Sequence, residues 1–270
     1  MMLGSVSKAG RVLDLFTPEA PEWGVSEVAT AIGIAKSSSH ALLATLDDIG
    51  LVRRLAGGRY RLGWRILELN RTLRHSTDFL GPQRARLRHM AVTLGATVHL
   101  GALQGREVIY LDRIVAPGGP VLAESGVGLA MPAHCTALGK VLLASLGPVD
   151  ADAMLALHGL PRRTASTITD AVGLQEELAR IRTFGYGVDL EEAVSSVCCV
   201  SAPIRDHRGE VEAAVSLTLP ADRFHDRQQQ VRATVRSAAE AISRFRRDRL
   251  QLATASSRVA RSTATEGQFA

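Results

Sequence analysis

Residues 25–50 read VSEVATAIGIAKSSSHALLATLDDIG, and this stretch decides the fold of the first part of the chain. It predicts a short helix that opens at Ser26, the expected N-cap, carries Glu27 in its first turn and stops at Gly33. A second helix is predicted immediately afterwards, over Lys36–Ile49. Two short helices joined by a tight glycine-containing turn are typical of a helix-turn-helix.

The segments on either side of this stretch extend the pattern to a winged helix-turn-helix. The apolar spacing of Val6–Phe16 predicts an amphipathic helix ahead of the pair. Leu51–Leu55 and Arg59–Leu62, separated by a Gly-Gly turn, predict the two strands of a hairpin, the wing. Gly63–His75 predicts a helical linker.

The second helix of the pair has the composition that a DNA-reading helix needs. Leu42, Leu46 and Ile49 share one predicted face, which should pack on the preceding helices. The opposite face is small and polar, so its backbone can approach the major groove closely. The predicted DNA contacts are Lys36, Ser37, Ser38, His40 and Thr45 on this helix and Arg53, Arg54, Arg59 and Arg61 on the wing, whose charges suit phosphates. Acidic residues nearly balance the basic ones over residues 1–62, so the positive charge is segregated rather than large.

Length and composition favour an ordinary two-domain protein. The chain has 270 residues and a formal net charge of +5, which favours a polyanionic partner. Its three cysteines are an odd number, which indicates reduced thiols in a cytoplasm. The sequence lacks an apolar run approaching about 18 residues, so we expect a cytoplasmic protein without a membrane segment.

The second part of the chain predicts an α+β domain. A helix is expected from Phe79 to about Leu94, followed by a hairpin of Thr97–Leu103 and Glu107–Ile114. Further helices are predicted over Cys135–Leu146, Asp152–His158, Leu174–Phe184 and Phe224–Leu250, and further strands over Tyr186–Leu190, Val197–Arg205 and Val211–Leu219. The remaining residues are rich in Ser, Thr and Ala without an apolar period, which predicts a disordered tail. The predicted organisation is a DNA-binding domain over 1–62, a linker helix over 63–78, an effector domain over 79–250 and the tail over 251–270.

Three motifs in this second part carry a family resemblance. Residues 132–140 read PAHCTALGK, residues 185–192 read GYGVDLEE and residues 199–206 read CVSAPIRD. Together with the helix-turn-helix and wing, they make the chain resemble the IclR family of transcriptional regulators from about Ser5 to Phe245. The resemblance implies a winged helix-turn-helix, a linker helix and a GAF-like effector domain with a curved antiparallel sheet flanked by helices.

The resemblance also implies a function. Members act as homodimers or homotetramers on partly palindromic operators in double-stranded DNA and respond to small organic-acid or aromatic metabolites, more often as repressors. One departure concerns the recognition helix: Ala41 stands where the family often has an arginine, and Ser38 and Ser39 replace the usual Thr and branched residue. Because a bidentate Arg–guanine contact contributes about 1–3 kcal/mol of discrimination, the operator bases read by relatives are not carried over to this chain.

An effector site follows from the same resemblance. The positions that match the ligand-lining residues of the family are Thr136, Ala137, Leu138, Asp189, Cys199, Ser216 and Thr218. Their chemistry agrees, because two hydroxyls two residues apart in a strand face one side and a helix N-terminus has unpaired N–H donors for an anion. The apolar walls are expected from Leu100, Leu122, Leu129 and Met131. The predicted ligand is a small carboxylate, without a cofactor or metal.

Three alternatives remain at this stage. His134 and Cys135 invite a Cys–His nucleophile, but neighbours at a helix start point in different directions and a third orienting group is not evident. The same two residues with Asp189 and Cys199 include metal-ligating types, but they lack CxxC or HxxxH spacing. Cys198 and Cys199 invite a thiol sensor, although adjacent cysteines rarely form a disulfide. The sequence therefore favours a regulator over an enzyme.

Overall fold

The computed structural model describes residues 3–76, 80–147, 150–151 and 159–266. The chain divides into two compact units, Met1–Asp78 and Phe79–Ala270. Within the described residues, none of the helices is long and apolar enough to cross a membrane.

The first unit contains the predicted helix-turn-helix and hairpin. Its elements are α1 (Gly4–Leu13), α2 (Val25–Ile32), α3 (Lys36–Asp48), β1 (Val52–Arg54), β2 (Tyr60–Leu62) and α4 (Arg65–Ser76). Strands β1 and β2 pair antiparallel, with Arg53 opposite Arg61. The apolar core of the unit joins all three leading helices to the hairpin through side chains such as Val12, Val28, Leu43 and Tyr60.

Helix α2 ends at the predicted residue but begins differently from the prediction. Gly33 ends α2 with φ of 69°, the left-handed conformation that glycine adopts without steric cost. The predicted N-cap at Ser26 is wrong, because α2 begins one residue earlier and Gly24 is the N-cap. Glu27 Oε2 accepts a hydrogen bond from Gly24 N at 2.8 Å, so an acidic side chain satisfies the exposed donor.

The buried face of α3 is rotated from the predicted one. Ser39, Leu43 and Leu46 are buried, whereas Ile49 follows the end of the helix and is 39% exposed. A serine is tolerated in this core because Ser39 Oγ donates a hydrogen bond to Val25 O at 2.8 Å. The prediction that Ile49 packs on the other helices is therefore wrong.

The second unit is built around one antiparallel sheet. Its elements are α5 (Gln83–Leu94), β3 (Thr97–Gln104), β4 (Glu107–Val115), β5 (Ala130–Pro132), α6 (Ala137–Ser145), α7 (Ala171–Phe184), β6 (Gly187–Leu190), β7 (Val197–Arg205), β8 (Val211–Pro220), α8 (Ala221–Asp226) and α9 (Gln228–Glu266), with short 3₁₀ turns at Ala123–Ser125 and Ala133–Cys135. The strand order is β5-β4-β3-β8-β7-β6. The α+β prediction is confirmed.

Several predicted element boundaries differ from the structure. The helix expected over Cys135–Leu146 is a 3₁₀ turn followed by α6, and the helix expected from Phe224 is divided into α8 and α9. Helix α9 continues through residues 251–266, where the sequence predicts a disordered tail. That stretch lacks an apolar period and has six serines and threonines, but it also has four alanines and two arginines, which have high intrinsic helix propensity. The helix predicted over Asp152–His158 lies outside the described residues.

Helices cover both faces of the sheet and form two cores. One core joins α5 and α9 to the sheet through apolar residues such as Leu87, Leu100, Val200 and Ile242. The other joins α6 and α7 to the opposite face, where Leu138, Val141 and Leu178 are buried. Because side chains alternate along a strand, each strand contributes to both cores, and the α6 side holds the polar residues described below.

Helix α6 approaches the preceding turn more closely than a side chain would permit. Thr136 is its N-cap, and Thr136 Oγ1 accepts a hydrogen bond from Gly139 N at 3.0 Å. A Cβ on Gly139 would lie 2.2 Å from Ala133 O and 2.3 Å from Ala133 Cα. The glycine therefore fixes where the N-terminus of α6 lies.

The variant Gly139→Ala is expected to lower the free energy of unfolding by about 1–3 kcal/mol, because α6 or the preceding turn must shift. Urea denaturation followed by circular dichroism measures the change. Gly10→Ala is the matched control, since Gly10 is exposed within α1 and a Cβ there would meet nothing within 4 Å. An unchanged unfolding midpoint for Gly139→Ala would contradict the close approach.

Candidate DNA interface and effector cavity

The predicted recognition face of α3 lies on the surface of the first unit. Lys36, Ser37, Ser38, His40 and Thr45 are all exposed, as are the small residues between them, Ala41 and Ala44. Thr45 Oγ1 donates to Ala41 O at 2.9 Å, which holds its methyl and hydroxyl groups against the helix. Apart from Lys36 and His40, this face therefore carries small side chains, as close approach to a duplex requires.

The four wing arginines have different environments. Arg59 donates from Nη1 and Nη2 to the two carboxylate oxygens of Glu27 at 3.0 and 2.9 Å, and Arg61 pairs with Glu22. These contacts lower the pKa of Glu27, chiefly through the hydrogen bonds from Arg59. The two arginines thus hold the wing to the start of α2, and their charges are partly compensated.

The other two wing arginines, Arg53 and Arg54, are not paired with a carboxylate in the described part of the chain. The Arg53 guanidinium lies over the Trp64 ring, 5.0 Å from its centroid, which orients the side chain while keeping its charge. Arg54 is exposed, and its backbone N donates to Asp47 Oδ1 at 3.1 Å. Arg53 and Arg54 are therefore the wing cations best placed to meet phosphates.

The seven predicted effector residues come together in the second unit. All of them line one cavity beneath the N-terminus of α6, namely Thr136, Ala137, Leu138, Asp189, Cys199, Ser216 and Thr218. Leu122 and Met131 also line it, as predicted, but Leu100 and Leu129 do not. Leu100 lies in the opposite core because it alternates with His99 along β3, and Leu129 is 45% exposed.

Five described lining residues were not predicted from the sequence: the ring residues His99 and Tyr110, and the small apolar residues Ala193, Val194 and Val197. His99 Nδ1 lies 3.1 Å from Thr218 Oγ1, and its Nε2 lies 3.0 Å from Ser125 Oγ. Since Ser125 Oγ donates to Leu122 O at 3.0 Å, it accepts from Nε2, and Nδ1 is left to accept from Thr218. Burial lowers the pKa of His99 to about 3, consistent with a neutral ring. Only the β3–β8 register could have revealed this pairing.

The hydrogen-bond chain continues to a cysteine. Cys199 Sγ lies 3.3 Å from Thr218 Oγ1, and the threonine hydroxyl is already committed as a donor to His99. The thiol is therefore the donor to Thr218. Ser216, on the same face of β8, has no side-chain hydrogen bond within the described structure, so its hydroxyl is available to the cavity.

Asp189 is the one carboxylate among the described residues that line the cavity. Its Oδ1 accepts hydrogen bonds from Glu192 N at 2.7 Å and Ala193 N at 3.3 Å. Burial, with a smaller contribution from the charge of Glu192, raises the pKa of Asp189 to about 7. The described lining contains neither lysine nor arginine. An anion in the cavity would therefore be bound by hydroxyl and backbone N–H dipoles rather than by a positively charged side chain.

A buried ion pair lies beside the cavity. Lys140 on α6 is 1% exposed, and its Nζ lies 2.5 Å from Glu192 Oε1 and 3.4 Å from Glu177 Oε1. Glu192 belongs to the segment between β6 and β7, whose Ala193 and Val194 line the cavity. The pair therefore ties α6 to that segment, and removing either partner would leave a buried charge.

The cavity is small in this structure, about 20 Å³, which is room for about one water molecule. The β6–β7 segment closes one side. It is held from outside by Thr164 Oγ1, which donates to Glu191 O at 2.6 Å, and by Thr167 Oγ1, which donates to Glu192 O at 2.7 Å. Any organic ligand must displace part of this lining.

The histidine and cysteines that suggested a nucleophile, a metal site or a thiol sensor are in environments that disfavour those roles. His134 Nε2 donates to Pro161 O at 3.1 Å, and Cys135 Sγ donates to Pro132 O at 3.5 Å. Burial raises the pKa of Cys135 to about 12 and that of Cys198 to about 11, which disfavours their thiolates. Among the described residues, His, Cys, Asp and Glu side chains do not gather in a group of three that could hold a metal ion.

The first unit contains a helix-turn-helix with an exposed face on α3, followed by a wing. The second unit is a separate domain with an internal cavity. Together these features define a DNA-binding transcriptional regulator with an effector domain. Comparison with protein families assigns the chain to the same class of protein. The family described as bacterial transcriptional regulator IclR C-terminal matches residues 72–244, and the IclR helix-turn-helix domain matches residues 5–56. The chain belongs to the IclR family of bacterial transcriptional regulators.

Individual relatives match along most of the chain. The HTH-type transcriptional regulator XynR of Escherichia coli is 34% identical over 226 residues, covering 83% of this chain and 89% of that protein. KdgR of the same organism is 29% identical, covering 89% and 92%. Among solved structures, IclR of Thermotoga maritima aligns with a TM-score of 0.65 and 28% identity, covering 91% of this chain and all of that one.

The buried carboxyl of Asp189 predicts a pH-dependent stability. Between pH 3.8 and about 7 the unfolded chain has lost this proton while the folded chain retains it, so this residue's contribution to the free energy of unfolding falls as pH rises. Relative to Asp189→Asn, the wild type should lose at most about 1.4 kcal/mol per pH unit across that range.

Chemical denaturation of both proteins from pH 4 to pH 8 measures this difference. Asp206→Asn serves as a control, because the half-buried Asp206 has a lowered pKa, held down by hydrogen bonds from backbone N–H groups, and should not produce a decline with rising pH. Parallel stability profiles for the wild type and Asp189→Asn would contradict burial of a titrating carboxyl.

Proposed function

We propose that this protein is a repressor whose affinity for a partly palindromic operator changes when a small organic-acid or aromatic metabolite binds in the effector cavity. The observation that carries the proposal is the convergence of all seven predicted ligand residues on one cavity, in a chain whose α3 presents a small polar face. Binding to a palindrome requires paired reading heads, so we propose a homodimer or a homotetramer.

The proposed DNA contacts divide into two kinds. Lys36 and His40 on α3 would reach base edges and nearby phosphates, whereas Arg53 and Arg54 on the wing would neutralise phosphates. Arg59 and Arg61 are proposed to act partly through wing geometry, since both already pair with carboxylates. In this proposal the residues of α3 determine which DNA sequence is bound, and the wing arginines determine how strongly the affinity depends on salt.

The cavity chemistry supports a carboxylate ligand bound by dipoles. The first N–H groups of α6 lack intrahelical partners, and Ala137 and Leu138 both line the cavity. Ser216 adds a hydroxyl donor. An ionised Asp189 would repel the ligand, so acids should bind more tightly below pH 7, where this carboxyl is protonated.

A solved relative supports aromatic acids as the first probes. An IclR homologue from Microbacterium hydrocarbonoxydans, 24% identical with a TM-score of 0.73, is complexed with 4-hydroxybenzoate. In the proposed mechanism, the ligand binds one arrangement of the effector domain more tightly and shifts operator affinity by its differential affinity, typically about 1–3 kcal/mol.

The double variant Lys36→Ala/His40→Ala should abolish specific DNA binding while leaving the fold intact, because both side chains lie on the exposed face of α3. Footprinting on duplexes that the wild type selects from random sequence measures this loss. Lys8→Ala, an exposed lysine on α1, is the control and should retain the footprint. In the same assay, Arg53→Gln/Arg54→Gln should reduce the slope of log affinity against log salt by about 4 for two reading heads on one palindrome, close to one for each of the four phosphates that are no longer neutralised. An unchanged footprint for the α3 variant would refute its assignment as the reading helix.

Ser216→Ala should reduce the response to ligand without unfolding the domain. A thermal-shift screen of benzoates and short-chain hydroxy and keto acids, run at pH 6 and pH 8, should identify acids that raise the melting temperature more at pH 6. Ser201→Ala is the matched control, since Ser201 lies opposite Ser216 in the sheet but donates to Val215 O instead of lining the cavity. Equal ligand shifts in both variants would argue against the site.

A further inference from the structure

A second concave surface lies on the face of the sheet away from the effector cavity. It is a groove of about 480 Å³ between α9 and the end of β7. Strand β6 pairs only with residues 198–201 of β7, so the outer edge of β7 beyond Ser201 has no strand partner in the described structure. Pro203, which lacks a backbone N–H, forms part of the floor.

Arginines dominate the lining of this groove. Arg236, Arg244 and Arg247 project from one face of α9, and Arg205 comes from the end of β7. Glu240 is the one acid among the described lining residues, whose formal charge is therefore +3. We call this surface the arginine groove.

The charges of the arginine groove are uncompensated by neighbouring carboxylates. None of the four guanidinium groups lies within 4 Å of a carboxylate in the described part of the chain, whereas Arg246, on the same helix but outside the groove, pairs with Glu212. Arg205 is held in place, because its Nη1 donates to Gly209 O at 2.8 Å and its backbone N donates to Ser243 Oγ at 3.0 Å. The groove is thus partly preorganised for an anion.

We propose that the arginine groove binds a small molecule carrying two or more phosphoryl groups. Guanidinium groups are weakly hydrated and bind phosphate oxygens in a bidentate manner, and four of them around one groove favour a multivalent anion over a monovalent one. The volume lies within the range of small-molecule sites, whereas duplex DNA is bound over a much larger surface. This site is distinct from the effector cavity, because the two share none of their described lining residues.

Isothermal titration of the full chain with inorganic pyrophosphate, and with orthophosphate at matched ionic strength, tests the proposal. Pyrophosphate should bind at least about tenfold more tightly than orthophosphate, and Arg236→Gln/Arg244→Gln should weaken pyrophosphate binding by at least about tenfold. The control is Arg223→Gln/Arg227→Gln, which removes the same charge from exposed positions outside the groove. It should change the affinity less than about twofold.

Three results would overturn the proposal. Equal losses in the groove and control variants would indicate a response to net charge alone. Undetectable pyrophosphate binding, or equal affinity for orthophosphate, would exclude a multivalent phosphate site. If the groove variant instead weakens binding to selected duplex DNA without affecting pyrophosphate, the groove contacts the DNA backbone. Melting temperatures of both variants establish that each is folded before titration.

Discussion

The alternation of side chains along the six-stranded antiparallel sheet is the constraint on which the second unit depends. On β7, Cys198 and Val200 point towards the α5–α9 core, while Cys199 points into the effector cavity. On β8, Leu217 likewise points towards the α5–α9 core, and Thr218 points into the effector cavity. A single strand therefore builds an apolar core and a polar cavity at once, and a one-residue slip in register would exchange the two.

Because that polar face is buried, its hydrogen bonds must be satisfied internally. The chain from Cys199 through Thr218, His99 and Ser125 to Leu122 O uses each hydroxyl as both donor and acceptor. Such a chain requires a neutral imidazole, which burial favours. Among the described lining residues, it leaves the hydroxyls of Ser216 and Tyr110 and the start of α6 as donors that can face a ligand. The carboxyl of Asp189 then sets the charge that a ligand encounters.

The sequence was sufficient for the helix-turn-helix, for five of the six strands of the sheet and for part of the cavity lining, because these follow from local periodicity, from the positions of glycines and from family motifs. It was insufficient where contacts between distant parts of the chain determine whether a side chain is buried and which partner it has. Ser39 looks like a surface residue until Val25 O is seen to accept its hydroxyl. His99 is isolated in the sequence from Thr218, its partner across the β3–β8 ladder. The pairing of Arg59 with Glu27 likewise depends on the wing folding back against α2.

The walls of the effector cavity differ in how readily they can yield to a ligand. Strands and α6 are fixed by the sheet and by the close approach of Gly139 to Ala133. The segment between β6 and β7 includes Glu191 and Ser196 at φ of 61° and 63°, a conformation that costs non-glycine residues free energy. It is held by a few side-chain hydrogen bonds and the Lys140–Glu192 pair. We therefore expect the cavity to expand at this segment first, and a ligand that enlarged it there would act on the ion pair that joins the segment to α6.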